Sequence, residues 1–355
     1  MAVKPDIVTL DRIGEFDTLI DARTPAEFAL DHLPGAVNLP VLDDEQRRLV
    51  GTIYKQAGAF EARRIGGAWV ARNIARHVER TMQDKPAHWR PLVYCWRGGQ
   101  RSGSFVLWLR QIGWAAAQLQ GGYKGYRRWV VEQLQALPPT LRWRVVGGPT
   151  GSGKTRLLRA LAARGAQVLD LEALARHRGS ILGAWPDGQP QPSQKAFDTA
   201  LVDALRRFDP ARPVWVEAES RKIGAVQLPQ ALVDALQRAP RVQVEAPFAA
   251  RLALVLEDYA WLGRDRQALA QRLTALRGLQ PNDTLARWQT WALAGRLTEL
   301  FAELMTHHYD PLYRRSQDRS GVPPWRTVPV AALDADGLNR AASDLLNDTG
   351  QGTHA

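Results

Sequence analysis

Cys95, the single cysteine of this 355-residue chain, opens the run Cys95-Trp96-Arg97-Gly98-Gly99-Gln100-Arg101-Ser102 directly after the apolar stretch Pro91-Leu92-Val93-Tyr94. That order sets a thiol at the exit of a buried strand, on a glycine-rich loop with two arginines. The thiolate is the reactive form of cysteine, and guanidinium groups with inward-turned backbone N–H donors favour it. The same cradle suits an anion such as a persulfide, selenide, phosphate or sulfate. Cys95, Arg97 and Arg101 are therefore the candidate catalytic group. A second cradle follows at Gly148-Pro149-Thr150-Gly151-Ser152-Gly153-Lys154-Thr155, which has the spacing G-x-x-x-x-G-K-[ST] of a phosphate-binding loop. Gly148, Gly151 and Gly153 let backbone amides turn toward phosphate oxygens, with Ser152 in the same turn. Lys154 supplies a point charge, and the Thr155 hydroxyl can ligate Mg²⁺. The motif reports a di- or triphosphate and leaves open the group attached to it.

Loops of this kind work with an acidic residue at the end of a neighbouring strand, which holds Mg²⁺. Residues 213–217 read as that strand and run into Glu217-Ala218-Glu219, so Glu217 and Glu219 are the candidates. Asp170 and Glu172, ending a second strand, form a further pair. His177 and Arg178 follow and could contact an anion or a base. Solvated strand-end carboxylates and a structural histidine are the plain alternatives. Near the N-terminus, Asp21 and Arg23 fit the end of a strand beside the cysteine loop and could line its mouth. The alternative there is a surface ion pair, worth little.

Short strands alternating with helices must position these groups. Residues 18–23 read as a strand. A helical turn follows from Pro25, with Thr24 as N-cap and Glu27 three residues on. Residues 47–80 are basic and helical in period, and residues 102–112 form a helix whose N-terminus faces the cysteine loop. Leu137-Pro138-Pro139-Thr140 reads as a linker. Beyond it, strands at 142–146, 167–171, 213–217 and 241–244, with helices at 154–164, 194–208 and 229–237, imply a parallel sheet covered by helices. Residues 247–316 are mostly helical. The fold class is α/β throughout: an α/β domain over residues 1–136, a linker over 137–141, and a P-loop NTPase-like parallel-sheet domain with a helical C-terminal part over 142–335. A C-terminal tail is expected over 336–355.

The length favours two domains, since single cores stop growing near roughly 250–300 residues. There is no apolar run long enough for a membrane-spanning helix, and the N-terminus lacks the pattern of a signal peptide. One cysteine allows no internal disulfide, which fits a reducing compartment, so a cytoplasmic location is expected. The formal net charge is +11, from 47 Lys and Arg against 36 Asp and Glu. Such an excess favours a polyanionic partner such as nucleic acid, with a merely arginine-rich composition as the alternative. Some of the 13 tryptophans could stack on bases.

Asp21-Ala22-Arg23-Thr24-Pro25-Ala26-Glu27-Phe28, His32-Leu33-Pro34-Gly35-Ala36-Val37-Asn38-Leu39-Pro40 and the Cys95 loop resemble a rhodanese (sulfurtransferase) domain. Joined to Gly121-Gly122-Tyr123-Lys124 and the phosphate loop, they make the chain resemble the tRNA 2-selenouridine synthase family from Asp21 to Tyr313. Val50 to Gln56, His177 to Ser180, Gln191 to Lys195, Glu217 to Arg221 and His308-Tyr309-Asp310-Pro311 support the likeness. Gln100 stands where the family is expected to carry methionine.

The resemblance implies a rhodanese-like domain followed by a P-loop domain. It implies a selenotransferase that replaces the sulfur of wobble 2-thiouridine in tRNA with selenium. The route it implies runs through S-geranyl-2-thiouridine, with geranyl diphosphate and selenophosphate as substrates and no prosthetic group. tRNA is the implied partner and a selenophosphate synthetase a further one; neither a membrane nor DNA is expected. On this reading Cys95, Arg97 and Arg101 handle selenium. The P-loop takes the diphosphate, Lys154 neutralises the leaving pyrophosphate, and Mg²⁺ could assist at Thr155. The basic segments between Arg47 and Arg80 and the helical C-terminal part are the expected tRNA surfaces. Two other readings stay open: a sulfurtransferase coupled to a nucleotide-dependent kinase or ATPase, and a non-catalytic RNA-binding module.

Overall fold

The computed structural model describes residues 6–320 and 323–347, and the chain divides into two compact units. The first takes residues up to Gln133 together with Ser193–Asp203. Its elements are β1 (Asp6–Val8), β2 (Thr18–Asp21), α1 (Pro25–Leu30), β3 (Val37–Asn38), α2 (Asp44–Gln56), α3 (Ala59–Thr81), β4 (Pro91–Tyr94), α4 (Gln100–Ile112), β5 (Ala117–Leu119) and α5 (Gly122–Ala136). The sheet order is β1-β5-β4-β2-β3 and every neighbouring pair is parallel. All four residues of β4 are buried, as expected for a central parallel strand covered on both faces.

Local signals set the helix boundaries. α1 begins at the capping box expected from the sequence: Thr24 Oγ1 accepts the Glu27 N–H at 3.3 Å, and the Glu27 carboxylate accepts the Thr24 N–H at 3.2 Å. Asp43 and Gln46 repeat the device at α2. α2 and α3 form a hairpin between β3 and β4, turned through Ala57 and Gly58, whose φ of 92° favours glycine. The inner face of α3 brings Ile74, Val70 and Val78 into one core cluster with Ile20, Val93, Phe105 and Cys95.

Asp21 and Arg23 depart from expectation. They are 0% and 1% exposed, so they form no surface pair and line no open mouth. Arg23 Nη2 meets Asp21 Oδ2 at 2.6 Å and also donates to the Asp31 carbonyl at 2.7 Å. The guanidinium lies 3.8 Å from the centroid of the Tyr123 ring. Its hydrogen-bonding capacity is thus spent inside the core, where it clamps β2 to the chain that follows α1.

The second unit takes residues 134–192 and those from Ala204 on. Its elements begin with β6 (Arg142–Gly147), α6 (Lys154–Ala163), β7 (Gln167–Leu169), α7 (Leu171–Ala175) and, after α8 (Gln194–Leu205), which belongs to the first unit as far as Asp203, β8 (Pro213–Glu217). A small antiparallel pair follows, β9 (Lys222–Ile223) and β10 (Val226–Gln227), then α9 (Gln230–Arg238) and β11 (Arg241–Glu245). The helical part comprises α10 (Phe248–Asp258), α11 (Arg266–Arg272), α12 (Asn282–Ala294), α13 (Leu297–Leu304) and α14 (Asp310–Ser320), with a π-helical turn at Met305–Tyr309. β12 (Arg326–Pro329) and α15 (Ala335–Asn347) close the chain. The sheet order is β12-β11-β6-β8-β7, parallel throughout. The helical part has its own core around Leu269, Leu273, Trp288, Phe301 and Leu304.

The expected C-terminal tail is corrected in part. Residues 335–347 form α15, whose Leu338, Ala341, Ala342 and Leu345 are buried against Leu157 and Leu161 of α6 and Val328 of β12. The spacing i, i+3, i+4, i+7 is that of an amphipathic helix, a signal passed over because the stretch is small and polar elsewhere. Residues 348–355 lie outside the described residues.

Asp21→Asn leaves the Arg23 charge buried and uncompensated, so the first unit should lose about 3–5 kcal/mol in denaturant unfolding. A loss well under 1 kcal/mol would show that the pair is no clamp.

Candidate active site

Cys95 follows the last residue of β4, and α4 starts at Gln100, so the loop Cys95–Gly99 caps that helix N-terminus. The loop is pressed against the β5–α5 turn. Gly98 and Gly122 have φ of 67° and 54°. A Cβ on Gly122 would stand 2.3 Å from the Cys95 carbonyl oxygen, which no side chain tolerates. Two backbone bonds lock the contact: the Tyr123 N–H donates to the Cys95 carbonyl at 2.8 Å, and the Lys124 N–H to that of Trp96 at 2.9 Å.

The thiol is 3% exposed. Ser102 Oγ donates to Cys95 Sγ at 3.1 Å and itself accepts from Gln118 Nε2 at 2.8 Å. Arg101 is held by Glu27, Nη1 to Oε2 at 2.7 Å. Burial alone would raise the Glu27 carboxyl, but the Arg101 hydrogen bond and charge outweigh it and hold it below the usual range. Arg97 is exposed. Of the two arginines expected around the sulfur, one is thus tied into the fold and the other is open to solvent. Ser102 and Gln118 were missed as site residues, because nothing in their spacing shows that β5 returns beside α4.

In the second unit, β6, β8 and β7 are neighbours, and the loops leaving their C-terminal ends carry the phosphate loop, Glu217–Glu219 and Asp170–Glu172. Open parallel sheets bind ligands at this edge. Gly151 and Gly153 adopt φ of 76° and 80°, and a Cβ on Gly151 would come within 2.6 Å of the Arg251 carbonyl oxygen. Ser152 is 1% exposed, and its hydroxyl has no hydrogen-bond partner among the described residues. A buried orphan hydroxyl inside a glycine turn fits an anion's oxygen.

Lys154 Nζ donates to the Gly148 carbonyl at 3.0 Å and faces Glu217 Oε1 at 3.4 Å. Thr155 Oγ1 donates to Glu217 Oε2 at 3.0 Å. One carboxylate oxygen from each of Glu172, Glu217 and Glu219 lies within 4.8 Å of the others. Burial first, and then repulsion from the neighbouring carboxylates, pushes Glu172 up to about 9. Burial and Glu217 push Glu219 up to about 7. Burial pulls the Lys154 ammonium down, but the three carboxylates outweigh it and hold it above its ordinary value. Three carboxylates and a hydroxyl form an all-oxygen donor set that fits a hard cation such as Mg²⁺.

The other candidates serve the fold around this cluster. Asp170 N-caps α7, Oδ1 accepting the Ala173 N–H at 2.9 Å. His177 Nδ1 accepts the Gly179 N–H at 3.1 Å, and burial lowers the affinity of the ring for a proton. Arg178 donates to the Asp258 carbonyl at 3.0 Å and stacks on Tyr259. The turn they build presses on the cluster, since a Cβ on Gly179 would stand 2.9 Å from Glu219 Oε2. Arg251 and Asp310 were missed. Arg251 forks onto Asp310 at 3.0 and 2.8 Å and donates to the Thr150 carbonyl of the phosphate loop at 2.9 Å. Asp310 follows the π-helical turn, and the run His308-Tyr309-Asp310-Pro311 was the signal available for it.

Known proteins resemble this chain over most of its length. A family model described as the tRNA 2-selenouridine synthase AAA domain matches residues 141–280, and a rhodanese-like domain model matches residues 9–128. A tRNA 2-selenouridine synthase of Nitrosomonas europaea is 40% identical over 262 residues, 72% of this chain and 67% of the relative. One from a Sulfurovum species is 33% identical, covering 85% of this chain and 89% of the relative. One from Cupriavidus necator is 35% identical, covering 88% and 95%. Among the described residues no helix is long and apolar enough to cross a membrane.

The raised Glu172 and Glu219 carboxyls make a pH prediction. The folded state keeps protons that the unfolded chain has lost, so this stability is complete below the ordinary carboxylate range and drains away as pH rises through about 7 and about 9. In chelator, the melting temperature should fall between about pH 5.5 and 8.5. Glu172→Gln should flatten that slope and Mg²⁺ should offset it. A pH-independent melt would refute the cluster as described.

Proposed function

The chain belongs to the tRNA 2-selenouridine synthase family, and on that premise we propose that it replaces the sulfur of wobble 2-thiouridine in tRNA with selenium. The observation that carries the proposal is the pair of built loops: a buried cysteine that accepts a hydrogen bond from Ser102 on a glycine loop, and a phosphate loop whose Ser152 hydroxyl has no partner among the described residues and whose Lys154 faces Glu217.

The route proposed has two steps. In the first, the thiocarbonyl sulfur attacks the carbon of geranyl diphosphate that bears the diphosphate, the carbon–oxygen bond breaks, pyrophosphate leaves, and the base gives up its N3 proton to solvent. The phosphate loop would hold the diphosphate, with Lys154 released from the Gly148 carbonyl to meet the developing charge. Thr155, Glu217 and Glu219 would hold Mg²⁺, which when bound would neutralise part of that charge. In the second step, selenium of selenophosphate attacks C2 of the base and the geranyl thiol leaves. Water then cleaves the phosphorus–selenium bond and releases phosphate. The Cys95 loop would take the selenium donor, with the Ser102 hydroxyl placed to donate to a charged sulfur or selenium.

The Thr155–Glu217 hydrogen bond supports a second reading, in which the loop holds a nucleotide and the cysteine carries a persulfide. Nucleoside mass spectrometry on 2-thiouridine tRNA with geranyl diphosphate and selenophosphate separates the two. We expect S-geranyl and then seleno-nucleoside. Lys154→Ala should slow geranylation roughly 10²–10³-fold, and Cys95→Ala should abolish selenation while sparing geranylation. An unchanged nucleoside profile alongside ATP turnover would favour the second reading.

A further inference from the structure

We propose that the exposed arginine column Arg72, Arg76 and Arg80 on α3 grips the phosphate backbone of the tRNA. The proposal rests on the tRNA reading above and assigns the surface that does the binding. α3 carries five arginines, Arg63, Arg64, Arg72, Arg76 and Arg80, against two glutamates, Glu61 and Glu79. Arg64 is occupied by Glu61 at 2.7 Å. Arg72, Arg76 and Arg80 are exposed and have neither a hydrogen bond nor an ion pair with any described residue, and the exposed Glu79 beside them forms no ion pair either.

Spacing by four residues stacks the three guanidinium groups on one side of the helix, about 6 Å apart along its axis. Like charges at that spacing oppose helix formation. The helix dipole compensates only Arg80, in the last turn. A partner with regularly spaced negative charge converts this repulsion into attraction, and each phosphate contacted releases counterions.

Two further observations favour RNA over other acidic partners. The opposite face of α3 is buried, with Ile74, Val70 and Val78 in the core cluster that also holds Cys95. That face is unavailable for insertion into lipid, so the helix cannot act as an amphipathic membrane anchor. The burial also makes the column part of the same packed body as the cysteine loop. At the free end of the hairpin, Tyr54 and Phe60 are 60% and 69% exposed on either side of the Ala57–Gly58 turn. Unpaired bases stack on such rings, and tRNA loops present them.

The test is the salt dependence of 2-thiouridine tRNA binding by the full chain, measured by fluorescence anisotropy. The triple variant Arg72→Gln, Arg76→Gln, Arg80→Gln keeps helix propensity and touches no buried group. Its slope of log K against log salt should shrink by about 2–3 relative to the unsubstituted protein, with a melting temperature equal to or above that of the unsubstituted protein. Arg12→Gln, at an arginine already paired with Glu15, should leave the slope as it is. A native slope in the triple variant overturns the column while leaving the tRNA reading intact. Failure of the unsubstituted protein to bind tRNA overturns that reading and the column with it. Preference for vesicles containing phosphatidylserine over tRNA would also overturn the proposal.

Discussion

A parallel strand can be followed by another in the same sheet only through a crossover, and this constraint organises both units. All strand ends of one sense then fall on one edge of the sheet, and the loops leaving them share a small volume. In the first unit that edge gathers the Asp21–Arg23 clamp, the Cys95 loop and the Gly121–Gly122 turn. In the second it gathers the phosphate loop, Glu172 and the Glu217–Glu219 pair. Residues far apart in the chain meet because the sheet leaves them nowhere else to go.

The two sites manage buried charge differently. Around Cys95 the charges are compensated in pairs, Arg23 by Asp21 and Arg101 by Glu27. This leaves the sulfur with neutral hydrogen-bonding neighbours. Around Lys154 the balance is unequal, with three carboxylates facing one ammonium. Burial first, and this imbalance second, raise Glu172 and Glu219 above the ordinary carboxylate range.

The supporting residues explain why both loops keep their shape. Gly122 admits the Cys95 carbonyl where any side chain would collide, and Gly151 admits the backbone of Arg251 in the same way. Arg251 in turn is held by Asp310, which emerges from a π-helical turn. π-Helical turns are rare and often lie at functional positions. Here the turn orients a carboxylate whose task is to brace the phosphate loop through an intermediary.

Much was legible without coordinates. The α/β alternation, the cysteine loop, the phosphate loop and the α1 capping box follow from local patterns, because turns, caps and anion nests are made by residues adjacent in sequence. The identity of the carboxylates beside Lys154 was also legible, since a strand-end acid has a fixed place after its strand. What the chain could not declare was pairing across elements. Arg101 reads as a partner of the thiol but turns to Glu27, Asp21 and Arg23 read as lining the mouth of the cysteine loop but pair in the core, and Asp170 reads as a site acid but caps a helix. Ser102, Gln118, Arg251 and Asp310 acquire their roles only where separate elements pack together. Local geometry is dictated by neighbours in the chain, so sequence determined the cradles. The partners of a long, charged side chain depend on which elements come to lie within its reach, and only the tertiary structure decided that.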